Sequence, residues 1–445
     1  MRRRIVYRKF WISMGVAFVA VAAAFLVTAQ FVPPPPPKKV IIAAAGEGTP
    51  YYRLAQSYQR YFAQNGVTLE IRQTFASSEN LQLLTEAKSG VDIGFVQGGL
   101  ATSKNAPDLM SMGRVAYEPV WVFYRGPDPI DRLSQLQGKR ILVGPEGSGT
   151  QQLAMKLLAA SGVTPESAAI VPMHLPLYVE ALEKGQADAG FLVLAADAMT
   201  VARLFQTPGL RLMSFAQADG YSQRFPFLSR LDLKQGVVDF GKNIPPDDTA
   251  LVATKTGLIV KDTLHPAIAS LLAEAVLVVH TQPQFDSNGE AKLFQTVGEF
   301  PIVADPEFPL ADDARRVYKS GPAFLQRYLP FWLATFLERM TIMLVPVIGL
   351  LIPAMRITPS IYPWLVRRRI FRWYRELRKA EAGLGKGVTA EQLSQKMSEL
   401  DRIDEGIRSA QIPQNFSDQL YQLRSHIDVV RRRLAARRPQ ASEFG

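Results

Sequence analysis

The chain has 445 residues, 47% hydrophobic and 20% charged, enough for two or three domains, and it contains no cysteine, which excludes disulfides, thiol catalysis and zinc–thiolate sites. Its formal charge of +11 is concentrated at the ends: 1–10 carries +5, 356–445 carries +8, and 11–355 is left with −2. A slightly acidic body excludes nucleic acid as the partner of the main domain.

After the basic residues Arg2, Arg3, Arg4, Arg8 and Lys9, the stretch 11–32 is almost wholly apolar. It matches the ~20 residues a helix needs to span a bilayer. It is read as an uncleaved anchor because it exceeds the ~7–15 apolar residues of a signal core, although Val27-Thr28-Ala29 resembles a cleavage site. Five prolines, 33–37, then form a stiff spacer within 33–39.

Short apolar strands alternating with helices follow, which predicts a mostly parallel α/β sheet. Strands are expected at 40–45, 68–73, 92–96, 120–124, 140–143, 168–172, 189–194 and 251–260, and helices at 51–64, 80–89, 149–161 and 177–184. One order, strand, glycine turn, helix, strand, helix, strand, fits 40–99 and again 140–196. The first turn reads AAAGEGTPYY and the second GPEGSGT. A helix start after such a turn offers unpaired N–H groups and the positive end of a dipole. Gly46-Glu47-Gly48 lacks the third glycine of a dinucleotide fingerprint, that place being Tyr51, and no phosphate loop follows. Two such lobes aim two helix N-termini at one cleft.

Three stretches, GEGTPYYRLA, FASSENLQLLTEAKSGVDIGFVQGG and LQGKRILVGPEGSGTQQLAMKLLAASGV, resemble in order and spacing the TAXI family of TRAP-transporter solute receptors. The resemblance covers about 40–328. It implies a two-lobed, type II periplasmic-binding-protein fold that captures a small organic anion or amino acid outside the cytoplasm and delivers it to TRAP permease membrane subunits driven by an ion gradient. No enzyme activity, metal or cofactor is implied. Carried over by motif, the ligand-binding residues are Gly48, Thr49, Tyr51 and Tyr52 of the first turn, Ser78 and Asn80 beside Glu79, Gln97 at a strand end, and Ser148, Gly149 and Thr150 of the second turn. Glu47 replaces the family's usual glycine. It either points away or marks a ligand with a cationic or neutral group at that end.

Structural alternatives stay open for several of these. Ser148 and Thr150 are also suited to capping a helix, Asn80 to an N-cap, and Tyr51 or Tyr52 to core packing. Gln97 is a polar residue closing an apolar strand and needs a partner. His174, His265, His280 and His426 form no i, i+4 metal pair and no nucleophile motif accompanies them. Lobe 1 is expected at 40–118 and 256–328 and lobe 2 at 119–255, with chain crossings near 118–125 and 243–256 about which the lobes close.

A second, imperfect span is expected at 329–355, with Glu338 and Arg339 near the headgroups and sixteen uninterrupted residues after them. Basic flanks on both spans put both termini in the cytoplasm of a bacterial inner membrane and the binding domain in the periplasm. In the tail, 356–445, arginines alternate with Trp364, Phe371, Trp373 and Tyr374 and suit a lipid surface. Thr389-Ala390-Glu391-Gln392 reads as a capping box ahead of the stripe Leu393, Met397, Leu400, Ile403, Ile407, and a second stripe runs from Leu420 to Leu434. A helical hairpin and a coiled coil between chains both fit, so 385–438 could self-associate or dock a cytoplasmic partner. Three functions follow: receptor for a TRAP permease, sensor or scaffold signalling through its tail, and receptor for an ATP-driven importer.

Overall fold

A computed structural model describes residues 34–436 apart from 76, 284, 286–291, 323, 383–388 and 410–415, together with 19, 22–23, 25–27 and 30. Two compact units are present, one formed by 34–338 and the other containing 339–445.

The larger unit is built on a ten-stranded mixed sheet. Strand β1 (Lys39–Ala45) lies between β2 (Thr68–Thr74) and β3 (Ile93–Gln97), all three parallel. Helices α1 (Pro50–Gln64) and α2 (Ser77–Thr85) connect them. The second lobe repeats the plan: β5 (Arg140–Val143) sits between β6 (Ala169–Pro172) and β7 (Ala189–Val193), with α3 (Gly149–Ala160) and α4 (Leu175–Glu183) as connections. These parallel triplets are the elements that the alternating pattern predicts.

Two long strands, which the pattern predicts in part at 120–124 and nearly whole at 251–260, join them. Strand β4 (Leu109–Tyr124) and the last strand, Thr249–Lys261, run antiparallel along each other. In the first lobe the last strand pairs with β3, from Thr256 opposite Gln97 to Val260 opposite Ile93. Its other half pairs with Leu228–Leu233, while the end of β4 pairs with β7. The sheet is therefore mixed rather than mostly parallel. The lobes meet where Ala116 to Pro119 face Thr256 to Ala253, and the register slips at Thr256/Gly257, a bulge at the crossing.

Each lobe has its own core. In the first, Tyr58 and Phe62 of α1 pack on β1, β3 and the late helix Pro266–His280, and Phe95 stacks between Tyr51 and Tyr58 at 5.1 and 6.2 Å. Burying a ring of this kind contributes about 1.5–3 kcal/mol. Tyr58 Oη lies 2.9 Å from His280 Nε2, and burial holds the His280 imidazole down to about 4. In the second lobe, Trp121 and Phe123 point to one face of β4 and Val120 and Val122 to the other. Alternation of this sort buries both faces of a strand.

The C-terminal segment returns to staple the crossing. Arg114 of β4 is buried, with ion pairs to Asp305 and to Glu307 at 2.7 Å, and it donates to Lys255 O at 3.1 Å. Burial pushes the Glu307 carboxyl up while Arg114 pulls it down.

In the smaller unit the helices Ala390–Ser409 and Ser417–Ala435 pack on the C-terminal part of the helix Phe331–Glu381. The capping box forms: Gln392 N donates to Thr389 Oγ1 at 3.4 Å and Thr389 N to Gln392 Oε1 at 3.2 Å. Leu400, Ile403, Ile407, Leu423, Ile427, Val430 and Leu434 bury one shared seam with Ile370 and Leu377. The two stripes thus make a hairpin within the chain. Among the described residues no helix is long and apolar enough to cross a membrane, and most of the first expected span, 11–32, lies outside them.

Candidate functional site

Both glycine turns fold alike. Gly48 and Gly147 hold φ of 80° and 75°, the left-handed region that favours glycine, and each precedes a helix cap. Thr49 Oγ1 accepts from Tyr52 N at 3.3 Å, and Ser148 Oγ accepts from Gln151 N at 3.2 Å. Ser148 is therefore the cap, Thr150 is the second residue of its helix, and the two helix N-termini flank the seam between the lobes.

That seam is closed by direct contacts. Gln97 is 5% exposed and its Nε2 donates to Gly149 O at 3.3 Å. Gln152 Nε2 donates to Ser78 Oγ at 3.4 Å, and Lys156 Nζ donates to Gly99 O at 2.9 Å. Arg53 of α1 donates to Asp197 beyond β7 at 2.6 Å, while Phe75 meets the His174 ring edge-on at 5.7 Å. Of the expected site residues, Ser78, Gln97, Ser148 and Gly149 meet at this seam with Gly48 and Thr49 at its edge.

Others face elsewhere. Asn80 is fully buried inside lobe 1: its amide donates to Phe95 O at 2.9 Å and its oxygen accepts from Thr74 Oγ1 at 2.5 Å. It stands in the fourth position of α2, so it neither caps that helix nor reaches the cleft. Tyr52 turns outward, donating to the exposed Glu47 at 3.4 Å, and Glu47 also accepts from Gln73 at 3.2 Å. Glu47 is thereby engaged with its own lobe. Tyr51 goes inward, its hydroxyl 3.0 Å from Ser77 Oγ and 3.3 Å from Thr256 Oγ1.

Tyr51 lines the floor of the cleft, a small cavity of about 20 Å³ walled by Leu54, Ala116, Glu118, Asp197, Lys292 and others. A space of that size holds about one water. Three charged residues here escaped the sequence reading. Glu118, on β4 at the crossing, is 7% exposed, and its Oε2 has no hydrogen-bond partner among the described residues. Burial pushes its carboxyl up to about 7, against the pull of the Tyr51 and Thr256 hydroxyls. Asp197 is held by Arg53 and lies 3.6 Å from Lys292. The signal that picked out Gln97, a polar residue within an apolar strand, also marks Glu118. Asp197 and Lys292 carry no local signal, since loops bring them in.

Among the described residues no group of three or more histidines and carboxylates is placed to hold a metal ion. The site offers hydrogen-bond donors, a carboxylate with one unpartnered oxygen and a lysine, a set suited to holding a polar group.

A profile of the NMT1-like family matches residues 42–320. No functionally curated protein matches the sequence. Among solved structures, the periplasmic aliphatic sulphonate binding protein SsuA of Escherichia coli is 14% identical, with 55% of this chain and 75% of that one covered at a TM-score of 0.35. The alkanesulfonate-binding protein SsuA of Xanthomonas axonopodis pv. citri, bound to MOPS, is 15% identical over 56% and 74% at 0.37. An ancestral arginine-binding protein bound to arginine is 14% identical over 54% and 91% at 0.35.

Proposed function

Since the chain belongs to the NMT1-like family, we propose that it is an extracytoplasmic solute receptor of the type II periplasmic-binding-protein class. It captures a small organic anion or amino acid between its lobes and delivers it to a TRAP-type permease driven by an ion gradient. The observation that carries this reading is the closed seam: two lobes, joined by two crossing strands, with paired helix N-termini and Gln97 meeting Gly149 over a polar floor. Such an arrangement opens and shuts about its crossing strands. In this reading 11–32 and 329–355 anchor the receptor in the inner membrane, their basic flanks and the tail lie in the cytoplasm, and the binding domain faces the periplasm.

The test is thermal unfolding of the full chain in detergent against amino acids, dicarboxylates and other small organic acids. A solute at 100 times its Kd adds about 2.7 kcal/mol, and the resulting rise in Tm is expected to vanish in Gln97→Ala. A broad panel without any shift refutes the receptor.

In a second reading the folded tail hairpin passes ligand occupancy to a cytoplasmic partner. Deleting 385–445 leaves uptake intact under the first reading and abolishes a downstream response under the second. An ATP-driven importer in place of the TRAP permease is separated by asking whether uptake follows the ion gradient or ATP.

A further inference from the structure

The charged groups of the cleft floor are not equally paired. Two of its lining residues are carboxylates, Glu118 and Asp197, and one is a lysine, Lys292. Asp197 is already satisfied, since Arg53 donates to it at 2.6 Å and Lys292 lies within 3.6 Å. Glu118 is different: it lies where the crossing strands touch, opposite Thr254 in register, and its Oε2 is buried without a partner. A buried carboxylate oxygen without a partner is costly and calls for an explanation. The Tyr51 hydroxyl from α1 and the Thr256 hydroxyl from the neighbouring strand support its carboxyl, while Asp197 from the loop after β7 and Lys292 line the same cavity.

We propose that Glu118 is the cation-recognising residue of the cleft and restricts capture to solutes bearing a protonated amine, whose N–H groups fill the open position at Oε2. The assignment rests on the receptor reading and narrows it. Lys292 pairs with Asp197 at 3.6 Å beside Arg53, so the neighbouring acid is already neutralised and the amine is left to Glu118. Because burial raises the Glu118 carboxyl to about 7, capture of an amine strengthens as pH rises through neutrality and fades below it.

The test is isothermal titration of the full chain in detergent with neutral and acidic L-amino acids, each beside the carboxylic acid lacking its α-amino group, and with the diamines putrescine and cadaverine. Binding is expected only for amine-bearing probes. For the tightest of them, wild-type affinity rises on the order of 30-fold from pH 5.5 to 8, following the ionised fraction of a carboxyl near 7. Glu118→Gln, which keeps the shape, weakens it at least about tenfold at pH 8 and flattens the profile. Deaminated acids that bind as tightly as their amino acids overturn the role of Glu118 while leaving the receptor standing, as does Glu118→Gln with unchanged affinity and pH profile. If neither set binds, receptor and assignment fall together. Should the variant not fold, the wild-type comparison of paired probes and its pH profile decide the matter.

Discussion

Arg114→Met tests the claim that a buried ion cluster clamps the C-terminal segment to the crossing strands. The guanidinium is 3% exposed and its two carboxylates, Asp305 and Glu307, are 1% and 7% exposed. Methionine fills most of the space but leaves both acids buried without a counter-ion, a change that costs about 3–5 kcal/mol. The acids keep some support, since Asp305 accepts from Glu307 N at 2.9 Å and Glu307 accepts from Gly99 N at 2.8 Å. The expected loss is thus at the low end, about 3 kcal/mol, a large share of the 5–15 kcal/mol that holds a typical domain. Burial already raises the Glu307 carboxyl, so without the arginine it protonates readily in acid, and the penalty shrinks as pH falls from 7 toward 5. Urea unfolding of the full chain in detergent at both pH values measures this. Adding Asp305→Asn and Glu307→Gln to the arginine variant is expected to restore much of the loss. A single variant within about 1 kcal/mol of wild type at pH 7 would refute the argument, because the carboxylates would then have found water or another cation.

His280 gives a second stability test. It stays neutral in the fold down to about 4 and takes a proton near 6.5 when unfolded, so the unfolded chain binds more protons between these values and stability falls as pH drops from 6.5 to 4. The span is worth about 3 kcal/mol, and the difference between wild type and His280→Gln across that window isolates it from other groups. Gly149→Ala places a Cβ 2.6 Å from Gln97 Oε1 in an otherwise ordinary helical start, so it props the lobes apart; solute affinity is expected to drop about tenfold with Tm nearly unchanged. Equal affinity would mean the seam does not close on the solute. Asp197→Asn removes the acid that Arg53 and Lys292 share across the cleft, and small-angle scattering of the solute-free protein is expected to show a larger radius of gyration. No change in radius would assign closure to the Gln97 contact instead.

The parallel triplets were legible because period and glycine turns repeat: Lys39–Ala45, Thr68–Thr74 and Arg140–Val143 start or end within a residue of the pattern. The strand Leu109–Tyr124 was read only from residue 120, since Arg114, Glu118 and Pro119 interrupt its apolar run, and each interruption turns out to belong to the crossing. A charge buried there is explained by partners at 254–256 and 305–307, which no local window contains. The turns were legible for the same reason as the strands, a left-handed glycine followed by a hydroxyl cap. Asn80 shows the limit of motif reading: the residue next to a binding motif can spend its whole amide on its own core.

The last long strand enters the first lobe only after the second has been made. Tyr51 meets Thr256 across 205 residues, and Tyr58 meets His280 across 222. A ribosome therefore finishes lobe 2 while the free edge of β3 and the apolar flank of α1 still wait for their partners. Lobe 2 is complete as an insert, whereas lobe 1 stays open for the time needed to synthesise the intervening chain. Loop closure over such a distance makes this the slow step of maturation. An exposed strand edge is a place where chains stick to one another, and the arrival of 249–280 is what covers it.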